Sequence, residues 1–271
     1  MTEQSNGFRI AAVQMVSAPQ TAPNLEAAAR LIAQAATEGA RLVVLPEYFC
    51  LLGERDTDKV AIRETDGQGP LQEFLAGQAA RHRIWLVGGT VPLACDRPSR
   101  VRNACLVYDP SGQRRARYDK IHLFGFQRGA EKFDEAATIE AARTPVVVDV
   151  DGWRIGLSIC YDLRFPELYR TLAPVDLIVV PSAFTYTTGA AHWETLLRAR
   201  AIENQCYVLA PAQGGRHPNG RRTWGHSMLV DPWGEVLAVL AEGEGVVAGA
   251  IERERIEEVR RILPALRHRV M

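Results

Sequence analysis

Apolar residues in this chain fall into short runs and alternating stretches that predict β-strands. Phe8–Met15 (FRIAAVQM) and Arg41–Leu45 (RLVVL) are almost wholly apolar, which is typical of strands buried on both faces. In Trp153–Ile159, apolar residues alternate with small or polar ones, which is the period of a half-buried strand. The same patterns predict strands at Ile84–Thr90, Asn103–Tyr108, Arg114–Asp119, Val146–Val150, Asp176–Val180, Cys206–Ala210, His226–Asp231, Glu235–Leu240 and Val246–Ile251.

An apolar position at every third or fourth residue predicts helices. In Asn24–Thr37 such positions form one face, and Gly39 supplies a stop signal just beyond it. Further helices are predicted at Leu71–Arg81, from Phe165 onward, at Ala190–Asn204 and at Glu252–Ile262. The charged or glycine-rich segments Gly53–Pro70, Gly125–Pro145 and Gln213–Thr223 are predicted to be irregular, and the tail Pro264–Met271 has no clear structure of its own.

Strands and helices are mixed along the chain, with hairpins between them. Asp151-Gly152 joins two predicted strands with a dipeptide that tight hairpin turns favour. Gly88-Gly89, inside a strand-like run, predicts backbone that approaches another group closely. No linker, repeat or low-complexity segment divides the chain. We therefore expect one α/β domain over residues 1–271, in which helices cover a mixed sheet system.

Charge and hydropathy narrow the functional classes. Lys plus Arg equals Asp plus Glu at 32 each, and this neutral balance argues against a general binder of nucleic acid or anionic membranes. The longest apolar run, Val236–Ala241, has six residues and is far too short to cross a bilayer. The N-terminal residues lack a basic segment followed by a long apolar one, so a cytoplasmic protein is expected. The five scattered cysteines contain no CxxC and suggest neither a disulfide framework nor a zinc site.

Cys160 stands out because it lies between a predicted strand and a predicted helix start at Phe165-Pro166-Glu167. Proline and glutamate suit the first turn of a helix. A thiol at such a position projects from the sheet, and the helix terminus is expected to lower its pKa. The alternative is an inert core cysteine, because free cysteine is among the most buried residue types.

Two other reactive side chains also follow predicted strands directly. Glu47 comes after RLVVLP, and Lys120 comes after RRARYD. Functional sites of layered α/β proteins gather at strand ends, so these residues and Cys160 are expected to share one rim. A carboxylate, an ammonium and a thiol suffice for acyl transfer, with the Tyr161 backbone N–H available as a further oxyanion donor.

The segments around these residues resemble the nitrilase superfamily of carbon–nitrogen hydrolases. The resemblance rests on LVVLPEYF, YDKIHLF, GLSICYDLRFPEL and PSAFTYTTGAAHWETLLRARAIENQCYV, and it extends from Phe8 to about Arg269. It implies that Glu47 is the general base, Lys120 the oxyanion stabiliser and Cys160 the nucleophile. It also implies a four-layer αββα sandwich of two mixed sheets, a homodimer or a higher homo-oligomer, a small amide substrate, and neither a metal nor a cofactor.

A second glutamate of the family lies between the lysine and cysteine segments. The resemblance assigns it to Glu135, with Glu131 and Asp134 near enough in sequence to be alternatives. Within the superfamily the chain is most similar to the Nit-type amidases, which include omega-amidases and deaminated-glutathione amidases. The run AQGGRHPNGRRTWGHSMLVDPWG is closer to the deaminated-glutathione branch.

A substrate that carries carboxylates requires cationic or N–H partners. The candidates are Arg164, Arg128 and Arg216, each near a predicted rim loop, and Tyr186 and Thr187 are expected to line the pocket. For Arg164 the favoured alternative is a structural salt bridge, because acidic residues lie two and three positions away in sequence.

The same residue set leaves other activities open. An omega-amidase, a nitrilase, a carbamoylase or an acyltransferase would use the same triad. Other classes are a non-catalytic interaction protein, a redox-sensing thiol protein, and a Cys–His hydrolase that uses His122, although no matching local cysteine signature is present.

Overall fold

Two β-sheets packed face to face form the centre of the molecule in a computed structural model, which describes residues 7–129 and 131–270. The strands are β1 Phe8–Gln14, β2 Leu42–Val44, β3 Trp85–Val87, β4 Val91–Ala94, β5 Val101–Tyr108, β6 Arg114–Asp119, β7 Gly125–Arg128, β8 Glu131–Asp134, β9 Val147–Val150, β10 Trp153–Leu157, β11 Leu177–Val179, β12 Tyr207–Ala210, β13 Gly214–Arg216, β14 Arg222–Trp224, β15 Ser227–Val230, β16 Val236–Leu240 and β17 Gly245–Ile251. The helices are α1 Thr21–Thr37, α2 Asp58–Ala61, α3 Pro70–His82, α4 Pro166–Leu172, α5 Tyr186–Asn204 and α6 Arg253–Ile262, with 3₁₀ turns at Glu135–Ala137, Cys160–Arg164 and Ala265–Arg267.

Both large sheets mix parallel and antiparallel strands, as predicted. The first has the order β17-β1-β2-β3-β5-β4, with β6 paired to β5, and its neighbours β1, β2 and β3 run parallel. The second has the order β16-β15-β12-β11-β10-β9, and β10, β11 and β12 run parallel. The carboxyl ends of parallel strands meet at the same edge of a sheet, so the segments that follow them gather there.

Alternate side chains of β1 pack into two different hydrophobic cores. Ile10 and Ala12 pack between the sheets, in a cluster that also contains β10 and β11. Ala11 and Val13 face the other way and pack with apolar residues of α1 and α3. Successive side chains of a strand point to opposite faces, so an all-apolar strand requires a layer on each side. The predicted αββα sandwich is confirmed.

Two helices begin earlier than the sequence pattern predicted. α1 starts at Thr21 rather than Asn24, and the buried Asn24 amide contacts backbone oxygens of Ala18 and Cys50. α5 starts at Tyr186 rather than Ala190, because the Thr185 hydroxyl accepts a hydrogen bond from the Thr188 N–H as an N-cap. The spacing of apolar residues gives no sign of the polar residues at a helix start, so the pattern placed both starts too late.

The segments that were predicted to be irregular contain short strands and a short helix. The hairpins β7–β8 and β13–β14 lie within two of them, α2 lies in the third, and β4 was not predicted. Most side chains of β7 and β8 are exposed or half-buried, so these strands lack the apolar alternation that marks a core strand. Within the described residues, no helix combines the length and apolar character that crossing a bilayer requires.

The close approach predicted at Gly88-Gly89 occurs next to Glu47. Gly89 has a φ of +57°, and a Cβ at this position would lie 2.1 Å from the Pro46 carbonyl oxygen. This contact holds the end of β3 against the residue that precedes Glu47.

We expect the Gly89→Ala variant to lose at least about 2 kcal/mol of unfolding free energy, because alanine meets both a backbone clash and a strained φ. Urea unfolding measures this loss. Gly77→Ala is the matched control, since nothing lies within 4 Å of its Cβ on α3. It should be more stable by about 0.4–1 kcal/mol. Equal stabilities for the two variants would contradict the proposed role of the close approach.

Candidate active site

Side chains from separate strand ends meet in the interior beyond the carboxyl ends of strands from both sheets. Glu47 follows β2, Lys120 follows β6 and Cys160 follows β10. The Lys120 ammonium donates to Glu47 Oε1 at 2.8 Å, and the two side chains are only 0% and 1% exposed. Cys160 and Glu47 line the same pocket. The fold thus brings together a thiol, a carboxylate and an ammonium.

Glu135 completes this buried charge cluster. Both of its carboxylate oxygens accept hydrogen bonds from Lys120 Nζ, at 2.9 and 2.8 Å. They also accept from the Tyr48 hydroxyl at 2.8 Å and from the Phe124 backbone N–H at 2.7 Å. Two carboxylates therefore hold one ammonium, and all three of its N–H donors are used.

The neighbouring carboxylates have other partners. Glu131 accepts a hydrogen bond from the Thr187 hydroxyl at 3.0 Å. Asp134 accepts from the Ala136 backbone N–H at 3.2 Å and caps the 3₁₀ turn that Glu135 begins. The geometry therefore favours Glu135 over both alternatives for the second-glutamate role, which remains a prediction.

Glu47 is held by two further donors that sequence reasoning missed. The Asn103 amide donates to Oε1 at 2.9 Å, and the Ala183 backbone N–H donates to Oε2 at 3.1 Å. Asn103 is a polar residue in strand β5, whose other buried residues are apolar. A polar residue at a core position was the available signal, because such a residue needs a buried partner.

Burial and charge shift the pKa values of this cluster. Burial raises the pKa of Glu47, although the Lys120 ammonium and the Cys160 thiol stabilise its carboxylate form. Burial opposes the charge of Lys120, but Glu135 and Glu47 outweigh that effect and raise its pKa well above the usual range. The lysine is therefore charged at neutral pH, while Glu47 takes up a proton more readily than an exposed glutamate does.

The prediction of a lowered Cys160 pKa is wrong for the free protein. Burial raises the pKa of this thiol well above its usual value, and the nearby Glu47 carboxylate adds to the effect. Cys160 begins a 3₁₀ turn, and α4 begins only at Pro166, so the predicted helix does not start at the cysteine. The thiol therefore needs a base to become a nucleophile, and Glu47 is the carboxylate beside it.

The turn that carries Cys160 has a strained backbone, and the Asp162 carboxylate fixes its position. Cys160 has a φ of +48°, a conformation that costs energy for a residue with a Cβ. Asp162 is fully buried and accepts from the backbone N–H groups of Ile159 at 2.9 Å and His122 at 3.0 Å, and from the Tyr118 hydroxyl at 2.6 Å. Its carboxylate ties the turn to the segment that contains Lys120.

Among the predicted substrate-binding residues, Arg164 lines a narrow cavity beside Cys160. Its expected salt bridge is wrong: within the described residues its guanidinium contacts His192 and the rings of Tyr161 and Phe184, and no carboxylate lies within 4 Å.

Four other predicted residues do not line the pocket that holds Cys160 and Glu47. Arg128 and Arg216 are exposed, at the ends of β7 and β13. Thr187 is bonded to Glu131, and the Tyr186 ring lies under the Arg222 guanidinium at 3.6 Å. Tyr186 and Thr187, which were expected to line the pocket, are therefore engaged beside it, and the carboxylate-binding roles of Arg128 and Arg216 remain predictions.

Residues in and next to the predicted irregular segments form much of the pocket wall. Its apolar part comes from Leu51, Leu52, Phe124 and Phe133, and its cationic part from Arg55, Lys59, Arg221 and Arg222. The cations lie in Gly53–Pro70 and Gln213–Thr223, whose charged composition was the available signal. Among the residues that the structure describes, no three His, Cys, Asp or Glu side chains are grouped closely enough to hold a metal ion.

Comparison with known proteins agrees with this fold. The family model for carbon–nitrogen hydrolases matches residues 9–261, so the chain belongs to that family. The deaminated glutathione amidase of Synechocystis sp. is 42% identical over 97% of this chain and 98% of that protein. The chloroplastic omega-amidase of Arabidopsis thaliana is 37% identical over 97% and 72%. Nit3 of Saccharomyces cerevisiae, a nitrilase-superfamily member, superimposes with a TM-score of 0.86 at 30% identity over 95% and 94%. The resemblance stated from the sequence is confirmed.

The role of Asp162 in holding the nucleophile turn can be tested by removing its carboxylate. Asp162→Ala leaves several buried donors without an acceptor, so we expect a loss of about 3–5 kcal/mol in unfolding free energy. Urea unfolding measures it, with the exposed Glu257→Ala as a control that should change stability by no more than about 0.5 kcal/mol. A loss below about 1 kcal/mol for Asp162→Ala would show that the carboxylate does not hold the turn.

Proposed function

We propose that this protein is an amidase that hydrolyses a small linear amide bearing carboxylates, with deaminated glutathione as the substrate type. The observation that carries the proposal is that Cys160 and Glu47 line one pocket, with the buried Lys120 ammonium bonded to Glu47 behind it. The amidases among its relatives support the class of reaction, and the 42% identity to a deaminated glutathione amidase supports the substrate type. The cations in the pocket wall, which also holds Asp56 and Asp134, offer partners to an anionic substrate.

In the proposed mechanism, Glu47 first takes the proton of the Cys160 thiol. The raised pKa values of both groups fit this transfer: the thiol is protonated in the free protein, and the glutamate accepts a proton readily. The sulfur then forms a bond to the amide carbon, and the carbonyl electron pair moves onto oxygen. The Lys120 ammonium and the Tyr161 backbone N–H stabilise that oxyanion.

The proton transfer also frees Lys120 for its role. In the free protein the ammonium is held by Glu47 and Glu135. When Glu47 becomes neutral, its attraction for the ammonium weakens, and the hydrogen bond at Oε1 can shift to the oxyanion. Glu135 keeps its charge and its two hydrogen bonds, so Lys120 stays in position throughout.

The remaining steps return the protein to its starting state. The tetrahedral intermediate expels the amine, which takes the proton from Glu47, and a thioester remains on Cys160. Glu47 then accepts a proton from water, and the hydroxide adds to the thioester carbon. Collapse of the second intermediate breaks the C–S bond, releases the acid and returns the proton to the sulfur.

An omega-amidase acting on α-keto acid amides is the second candidate. The 37% identity to a plant omega-amidase over 97% of this chain favours it. It would use the same buried groups, so the two candidates differ in what the pocket binds. Turnover of α-ketoglutaramate and deaminated glutathione, compared as kcat/KM, separates them.

We also propose that residues 1–271 act as one domain and pair as a homodimer in the cytoplasm. Apolar side chains on α5 and the β15–β16 hairpin support a paired face: Ile202, Trp233, Leu237 and Val239 are 46–51% exposed. Ile202 lies beside the hairpin turn at Gly234, so these residues form one surface. Exposed apolar patches of this kind commonly mark protein interfaces.

Cys160→Ala and Cys160→Ser should lose at least about 1,000-fold in kcat, because no other group can form the thioester. Both should keep the fold, as measured by circular dichroism. Mass spectrometry of the wild-type protein, quenched during turnover, should find the acyl group on Cys160. Amine release at the wild-type rate by either variant would refute the mechanism.

The pH dependence of kcat/KM should report the buried Glu47–Cys160 pair. Glu47 must be ionised to act as base, and burial raises its pKa, so activity should fall on acidification with a midpoint above 4.5, the ordinary glutamate value. The sign follows from the raised pKa: protonation of Glu47 removes the base at a higher pH than it would on an exposed side chain. Full activity at pH 4 in a protein whose fold is intact would contradict this assignment.

A further inference from the structure

The cations that line the pocket differ in their partners. Arg55 pairs with Asp58 at 3.2 Å, Arg221 with Asp56 at 3.0 Å, and Arg222 with Glu242 at 2.8 Å. Each arginine thus has a carboxylate of the protein as its counter-ion. A substrate carboxylate that bound to one of them would compete with an existing ion pair.

Lys59 is the exception. Its ammonium donates to the Asp56 carbonyl oxygen at 2.9 Å and to the Thr138 hydroxyl at 3.3 Å, and neither acceptor is charged. Within the described residues, no carboxylate lies within 4 Å of it. An ammonium has three N–H donors, so one donor has no acceptor, and the Asp56 and Glu135 carboxylates act on the charge only from beyond 4 Å. Lys59 is half-buried, and burial lowers its pKa.

The position of Lys59 links this ammonium to the reacting groups. Its Nζ lies 5.6 Å from the centre of the Tyr48 ring, and the hydroxyl of that ring donates to Glu135. Its acceptor Thr138 directly follows the 3₁₀ turn that Glu135 begins. The Tyr48 ring therefore connects Lys59 to the buried charge cluster. Lys59 also lines the same pocket as Cys160.

We propose that Lys59 binds a carboxylate of the substrate and makes the pocket specific for carboxylate-bearing amides. The inference rests on the proposed amidase function and names a residue that determines its substrate class. The third N–H of the ammonium donates to the incoming carboxylate, and the pairing supplies a direct counter-ion in a half-buried place, where charge-assisted hydrogen bonds are strong. A neutral amide gains nothing from this residue.

The test uses deaminated glutathione, which carries two carboxylates, and its two singly esterified forms. We expect Lys59→Met to lower kcat/KM for the diacid by about 10- to 100-fold, mostly through KM. One mono-ester should show the same loss, while the other, which lacks the carboxylate that Lys59 binds, should show none. Lys59→Arg should recover part of the activity.

The controls separate binding from other roles of the residue. Lys132→Met is the matched control, because Lys132 is exposed on β8 and is the remaining lysine besides Lys120. It should leave kcat/KM unchanged. An equal loss for the diacid and for both mono-esters would overturn the proposal, because Lys59 would then act through Glu135 and Lys120 on every substrate. No loss for the diacid would overturn it as well.

A binding measurement keeps this inference distinct from the proposed function. Calorimetry of deaminated glutathione with Cys160→Ala, with and without Lys59→Met, should show affinity weakened by about 10-fold or more when the ammonium is absent. If the wild-type chain hydrolyses no amide, the amidase proposal fails while this result still decides the role of Lys59. Undetectable binding to Cys160→Ala, or equal binding to both proteins, would overturn the role of Lys59.

Discussion

The rest of the site depends on one buried ammonium held between two carboxylates. Lys120 is completely buried, and the hydrogen bonds of its ammonium go to Glu47 and Glu135. Burying a lone charge would be prohibitive, so the lysine and its partners must fold into place together. The lysine comes from the end of β6, and its partners come from the end of β2 and the 3₁₀ turn after β8. One electrostatic requirement thus joins three segments and sets the position of the base.

Burial and the charge balance of this cluster explain why the thiol is neutral in the free protein. Burial is the main reason, and the surplus negative charge of two carboxylates facing one ammonium disfavours a thiolate further. Cys160 therefore depends on proton transfer to Glu47 rather than on a preformed thiolate. Its strained backbone, held by Asp162, keeps the sulfur in the pocket where that transfer can occur.

In the proposed function, the residues that select the substrate differ from those of the buried charge cluster. The pocket wall is formed by loop residues whose arginines already have acidic partners, and Lys59 alone among the wall cations described here has none. A paired guanidinium shapes the wall, whereas an unmatched ammonium offers binding energy to an anion.

The sequence by itself determined the sheets and the reacting groups. Buried strands must be apolar, and Glu47 and Cys160 follow such strands, while Lys120 follows the polar strand β6, so pattern and resemblance both led to them. Only the tertiary structure decided the partners: Asn103 on Glu47, Asp162 beneath the cysteine turn, and the direction of the Cys160 pKa shift. It also placed Lys59 in the pocket and left Arg128 and Arg216 exposed. A polar side chain on a loop carries no periodic signal, and its role depends on which distant residues the fold brings within hydrogen-bonding range.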